Sequence, residues 1–100
     1  MTRTEMTARV RDTLRGLLVS YRLEVPEVFD LSKCVTSFGL ETIEGFDFIC
    51  AIEAAAGVTI PENVNPFVDD EEHRYRSVAE IVDLLCVYNT AGEEAGDGKK

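Results

Sequence analysis

Residues 39–61, GLETIEGFDFICAIEAAAGVTIP, lay two apolar faces on a single predicted helix, with acids between them and no positive charge. Phe48, Ile49, Ile52 and Ala56 share one side at helical spacing, and Ile43, Phe46 and Cys50 share another. A helix joins a bundle through one stripe. The first set therefore predicts core, and the second must be covered by another part of the chain or offered to a partner. Thr42 predicts the helix start, because its hydroxyl can accept from a first-turn N–H, and Glu41 and Glu44 suit the positive end of the helix dipole. Gly57 predicts the stop, since glycine takes the left-handed conformation cheaply, and residues 58–60 then run extended into Pro61. The helix is expected over 42–56.

Two further helices follow from periodicity. Met6, Val10, Leu14, Leu17, Leu18 and Tyr21 share one face of a predicted helix over 4–21, with Arg9, Arg11, Asp12 and Arg15 away from it and Pro26 beyond its end. A last helix starts near Ser77, where Ser77 and Glu80 fit the Ser-x-x-Glu capping box and Val78, Ile81, Val82 and Leu85 form the inward stripe. Residues 24–38 read as a long connection. Val25, Val28, Phe29, Leu31, Val35 and Phe38 make it too apolar to hang free, so it is expected to lie on the bundle with a short helical turn, and it is the segment able to cover the second stripe. Residues 61–76 read as an acidic connection with a short helix around 66–72, and no alternation is long enough for a sheet. The expected fold is all-α: a small antiparallel three-to-four-helix bundle over 1–88, followed over 89–100 by a disordered tail without apolar residues to bury.

Charge narrows the function classes. The net charge is −9, and residues 35–73 contain no Lys or Arg while holding Glu41, Glu44, Asp47, Glu53, Glu62, Asp69, Asp70, Glu71 and Glu72. Such a field repels nucleic acid and anionic lipid and steers basic protein partners, although a solvated, solubilising surface has the same composition. Cys34, Cys50 and Cys86 form no CxxC pair and no secretory signal is visible. This predicts reduced thiols in a cytoplasmic protein, with all three cysteines acting as buried or half-buried small hydrophobes. His73 behind Asp69–Glu72 lacks the ligand spacing of a calcium loop, so a solvated turn and no metal is expected there. No nucleophile–His–acid pattern can be argued, and catalysis is not expected.

The block from Gly39 through Glu41, Thr42 and Ile43 to Gly57, Ile60 and Pro61 resembles the recognition-helix region of acyl carrier proteins and peptidyl carrier domains. There a Gly-x-Asp-Ser-Leu motif opens the second helix and an Ile-Pro or similar pair follows its glycine end. The resemblance is ungapped over this block and looser over residues 4–88. It implies a protein that catalyses nothing itself. A phosphopantetheinyl transferase attaches a 4′-phosphopantetheine arm at the position matched by Thr42, and the arm presents acyl intermediates, as in fatty acid or polyketide biosynthesis. It also implies docking of acyl-processing enzymes with basic surfaces on Glu41, Ile43, Glu44, Phe46, Asp47, Cys50 and Glu53. No nucleic acid or membrane partner is implied, and a monomer is expected.

Three departures stand out. Glu41 replaces Asp, the connection over 62–77 is longer than usual, and Thr42 replaces Ser. Threonine's β-methyl restricts the side chain and crowds attack on phosphorus, which counts against native modification. Three accounts remain open: an adapted transferase modifies Thr42, the protein binds partners without an arm, or serine has been deliberately replaced. The alternative to a carrier is an interaction domain that uses its acidic second helix as an adaptor surface.

Overall fold

The computed structural model describes residues 1–97, with side chains over 1–89. Helix α1 spans Arg3–Ser20, α2 spans Gly45–Ala56 and α3 spans Val78–Asp97, and α1 packs against both of the others. Two-residue strands β1, Val68–Asp69, and β2, Arg74–Tyr75, pair antiparallel, with Val68 opposite Tyr75 and Asp69 opposite Arg74. The molecule is thus mostly helical with a short two-stranded sheet. Helix α3 runs through residues 89–97, where a disordered tail is expected, and 98–100 lie outside the described residues.

The apolar stripes read from the sequence meet in one core. Met6, Val10, Leu14, Leu17 and Leu18 from α1, Phe48, Ile52 and Ala56 from α2, and Val78, Ile81, Val82 and Leu85 from α3 are all buried, with Ile49 half-buried at the margin. Phe67 fills the space beside Phe48, their ring centroids 5.3 Å apart. Helix α1 starts and ends one residue earlier than expected, behind a capping box at Thr2 and Glu5. The Thr2 hydroxyl accepts from the Glu5 N–H at 3.1 Å and the Glu5 carboxylate accepts from the Thr2 N–H at 2.7 Å. These hydrogen bonds hold Glu5 below the usual carboxylate range.

The first connection behaves largely as its composition demands. Val35–Phe38 form a 3₁₀ turn, Phe29 and Val35 are buried, and Phe29 and Phe38 meet edge to face at 5.1 Å. The Arg15 guanidinium lies 5.6 Å from the Phe29 ring centre. Val28 is the exception: it is exposed, because neighbouring Phe29 turns inward alone. The same connection also satisfies the start of α3, since the Leu31 carbonyl accepts from the Ala79 N–H and the Lys33 carbonyl from the Val78 N–H, each at 2.9 Å. Ser77 and Glu80 form the capping box expected of them, with Ser77 N donating to Glu80 Oε1 at 2.8 Å and Glu80 N donating to Ser77 Oγ at 3.2 Å.

The second connection corrects the sequence reading. Residues 66–72 form no helix; they lead into and around the β1–β2 hairpin. Side chains that bond to nearby backbone supply the reason. Asn65 Oδ1 accepts from Phe67 N at 2.9 Å, and Asp69 Oδ1 accepts from Glu71 N and Glu72 N. His73 takes a positive φ of 55° to close the turn. Arg76 then fastens the loop, its guanidinium donating to the carbonyls of Asn65, Pro66 and Val68, the last at 2.6 Å. Arg74 and Glu80 form a two-pronged ion pair at 2.9 and 2.6 Å, which, with the Ser77 N–H, pulls the Glu80 carboxyl down to about 2.

Two expectations follow. Ile52→Ala should lower unfolding free energy by about 2–5 kcal/mol, because the side chain is fully enclosed and the site cannot collapse around the loss. Urea denaturation measures it, and an unchanged midpoint contradicts the packing. Glu80 has a folded-state pKa below its ordinary 4.5, so its contribution is complete above that pH and disappears as pH falls toward about 2. Acid titration of Glu80→Gln should show a shallower stability loss between those values than the parent. The pair is partly exposed, so the difference is small and shrinks with salt.

Candidate functional site

The site begins where α2 begins. Residues Thr42–Glu44 form one 3₁₀ turn that runs directly into α2. The predicted start at Thr42 is therefore right in place, but the capping role is corrected. Glu41 is the extended residue ahead of the turn, and its N–H donates to Glu44 Oε1 at 2.7 Å. The Thr42 hydroxyl instead bonds to the hairpin. Its Oγ1 lies 2.5 Å from the Tyr75 phenolic oxygen, and either group can be the donor. The Thr42 carbonyl accepts from Asn65 Nδ2 at 2.9 Å. Thr42 itself is exposed.

The second apolar stripe is open. Ile43 is 72% exposed and Phe46 51%, and Cys50 is exposed one turn further on. The connection over 24–38 does not cover them; its Phe29 and Val35 are buried in the core, and Val25, Leu31 and Phe38 pack against it. Cys50 thus departs from the half-buried state expected of it, whereas Cys34 and Cys86 have that state. Beside the stripe runs a groove of about 350 Å³ lined by Phe46, Ile49, Cys50, Glu53 and the segment Ile60, Pro61, Glu62.

The acids around the stripe are held in place from within. Asp47 accepts a hydrogen bond from the Tyr21 phenol at the end of α1, and that carboxylate pushes the Tyr21 pKa up to about 12. Glu53 Oε2 accepts from the Ile60 N–H at 2.9 Å, which pins the extended segment after Gly57, where φ is 70° as a left-handed stop requires. Glu44 caps the turn through Glu41. All these donors are neutral, so the carboxylates are oriented without losing their charge, and residues 35–73 supply no cation to neutralise them.

All eight residues singled out from the sequence, Glu41, Thr42, Ile43, Glu44, Phe46, Asp47, Cys50 and Glu53, lie on the 3₁₀ turn and α2 or just ahead of them. Sequence reasoning missed their supports. Tyr21 reads as the last member of the α1 core stripe, yet its hydroxyl reaches Asp47. Asn65 and Tyr75 lie 23 and 33 residues from Thr42, and nothing local announces either contact. Among the described residues no group of three His, Cys, Asp or Glu side chains is placed to hold a metal ion, and no helix is long and apolar enough to cross a membrane. No family model, curated protein or solved structure matches the chain.

Proposed function

We propose that this chain is an acyl carrier protein or a carrier-like homologue, a small antiparallel helical bundle that displays Thr42 to a phosphopantetheinyl transferase and α2 to acyl-processing enzymes. The observation that carries the reading is exposed Thr42 at the head of an acidic helix, followed by exposed Ile43 and Phe46. A covalent arm needs a hydroxyl on a residue at the surface, and Thr42 is one. Attachment forms a bond from Thr42 Oγ1 to the pantetheine-side phosphorus of coenzyme A. The P–O bond to the adenosine bisphosphate breaks, that group leaves, and the hydroxyl proton passes to a base of the transferase. Once attached, 4′-phosphopantetheine supplies a terminal thiol that holds acyl groups as thioesters.

The chain's own residues do the rest. Ile43 and Phe46 offer apolar area to a partner, and Glu44, Asp47 and Glu53 select a basic one and speed its approach. The internal bonds from Tyr21 and the Ile60 N–H hold two of those carboxylates in fixed places, so a partner's cations meet charges already positioned. A cytoplasmic setting fits three free thiols.

One observation favours the adaptor reading. The Thr42 hydroxyl already has a partner in Tyr75, so α2 can serve as a binding face with no arm at all. The exposed stripe and the acids serve either role.

Substitution at the hydroxyl separates them. Thr42→Ser, incubated with a broad-specificity transferase and coenzyme A, should gain the mass of phosphopantetheine much faster than the native protein, because the β-methyl no longer crowds the reacting oxygen. No gain, with an established carrier modified in the same tube, leaves the adaptor reading in front. Charge reversal at the face gives a second test. Glu44→Lys with Asp47→Lys should weaken binding to a basic partner and flatten its salt dependence. Tyr21→Phe serves as control, since it removes the internal bond to Asp47 and leaves the charge. Equal affinity for the charge-reversed and native proteins removes α2 as the docking face.

A further inference from the structure

Two of the three departures from carrier patterning, threonine at position 42 and the long connection before α3, meet at one hydrogen bond. The connection folds as the β1–β2 hairpin, and the hairpin puts the Tyr75 phenol 2.5 Å from Thr42 Oγ1. Tyr75 is held from several sides. It pairs with Val68, its carbonyl accepts from Cys34 Sγ at 3.7 Å, and its half-buried ring packs on the core. On either side, Arg74 is clamped by Glu80 and Arg76 by the loop carbonyls. A phenol fixed this way is not a wandering surface group. Asn65 fixes the other end of the contact by holding the Thr42 carbonyl, so the backbone of the 3₁₀ turn cannot drift from the hairpin.

We infer that Tyr75 is a lock on the Thr42 hydroxyl, a residue that sets whether and on which side chain a phosphopantetheinyl transferase can act; the inference rests on the carrier reading. A hydroxyl has one proton and two lone pairs. If Thr42 donates to Tyr75, its proton is engaged when the transferase's base must remove it. If Tyr75 donates, one of the two lone pairs is engaged and the oxygen is held turned toward the phenol when it must attack phosphorus. Both arrangements hold back the same oxygen. Threonine's β-branch makes the lock firmer than serine's, because few side-chain rotamers are open to it and the bond to Tyr75 selects one. Release of the bond must precede formation of the Oγ1–P bond, loss of the adenosine bisphosphate and passage of the proton to the transferase.

The test compares four proteins: the native chain, Tyr75→Phe, Thr42→Ser, and Thr42→Ser with Tyr75→Phe. Each is incubated with transferase and coenzyme A, and initial rates are read from intact mass. Phenylalanine keeps the ring and its packing and removes only the hydroxyl. Tyr75→Phe should speed transfer to Thr42 roughly fivefold, the factor that one net hydrogen bond implies, and transfer to Thr42→Ser by a smaller factor. The gain should lie in the transferase's kcat, with KM for the carrier unchanged, since Ile43, Phe46 and Glu44 are untouched. Transfer to Thr42→Ser with no response to Tyr75→Phe, or a slower one, overturns the lock and leaves the carrier reading standing. A rate gain that comes with an altered KM and a lower thermal midpoint marks general loosening and also overturns it. No mass gain in any of the four, with an established carrier modified alongside, removes the carrier reading and the lock together.

Discussion

The site depends on the absence of a side chain at Gly45. The Asn65 amide lies against that backbone so closely that a Cβ there would stand 2.0 Å from Asn65 Oδ1. From this position Asn65 reaches two ways: Nδ2 donates to the Thr42 carbonyl, and Oδ1 accepts from the Phe67 N–H. One side chain thus ties the first turn ahead of α2 to the start of the hairpin loop. Phe67 is carried from there into the core beside Phe48. The loop's approach sets where Tyr75 stands, and Tyr75 sets what the Thr42 hydroxyl meets. A larger residue at Gly45 displaces Asn65 and, with it, each of these contacts.

How much of this was legible depends on whether the cause is local. The three apolar stripes are local, and the core contains them, with Tyr21 and Ile49 half-buried at its margin. The stop at Gly57 and the Ser77–Glu80 box are local too, and both stand as expected. The box at Thr2 and Glu5 was equally available in the Thr-x-x-Glu spacing. The hairpin was not legible. Its strands are two residues long, too short for an alternating signal, and its acids suggest a solvated helix or turn equally well. What works against helix is Asn65 and Asp69 bonding to nearby N–H groups, and Arg76 reaching back to the carbonyls of Asn65, Pro66 and Val68 over a distance that shows no periodicity.

The candidate site divides along the same line. That Ile43, Phe46 and Cys50 form a separate face follows from 3.6-residue geometry. Whether that face is covered depends on where the connection over 24–38 goes, which periodicity does not state. Phe29, Val35 and Leu40 go into the core, and the stripe stays open. The misjudged cap at Thr42 has a similar origin. A threonine ahead of an apolar run looks like an N-cap, but here the first turn is 3₁₀ and Glu44 satisfies the Glu41 N–H, which leaves the Thr42 hydroxyl for a distant partner.

The acids of α2 show why internal hydrogen bonding and outward recognition need not compete. A carboxylate has two oxygens and room for several donors. Asp47 gives part of that capacity to Tyr21, and Glu53 gives part to the Ile60 N–H. Had the internal donors been lysine or arginine, the bonds would have neutralised the face. A phenol and a backbone N–H fix the carboxylates and leave the negative field intact, and the helix dipole favours the charge of Asp47 in the first turn. The long run without Lys or Arg, 35–73, is the sequence form of that condition. The positive charges of α1 lie elsewhere: Arg3 pairs with Asp83 on α3, and Arg15 is held by Asp12 and the Phe29 ring. The separation of charge thus has a structural cause. Arg3 is engaged with α3 and Arg15 with the first connection, while the 3₁₀ turn and α2 carry acids and no Lys or Arg.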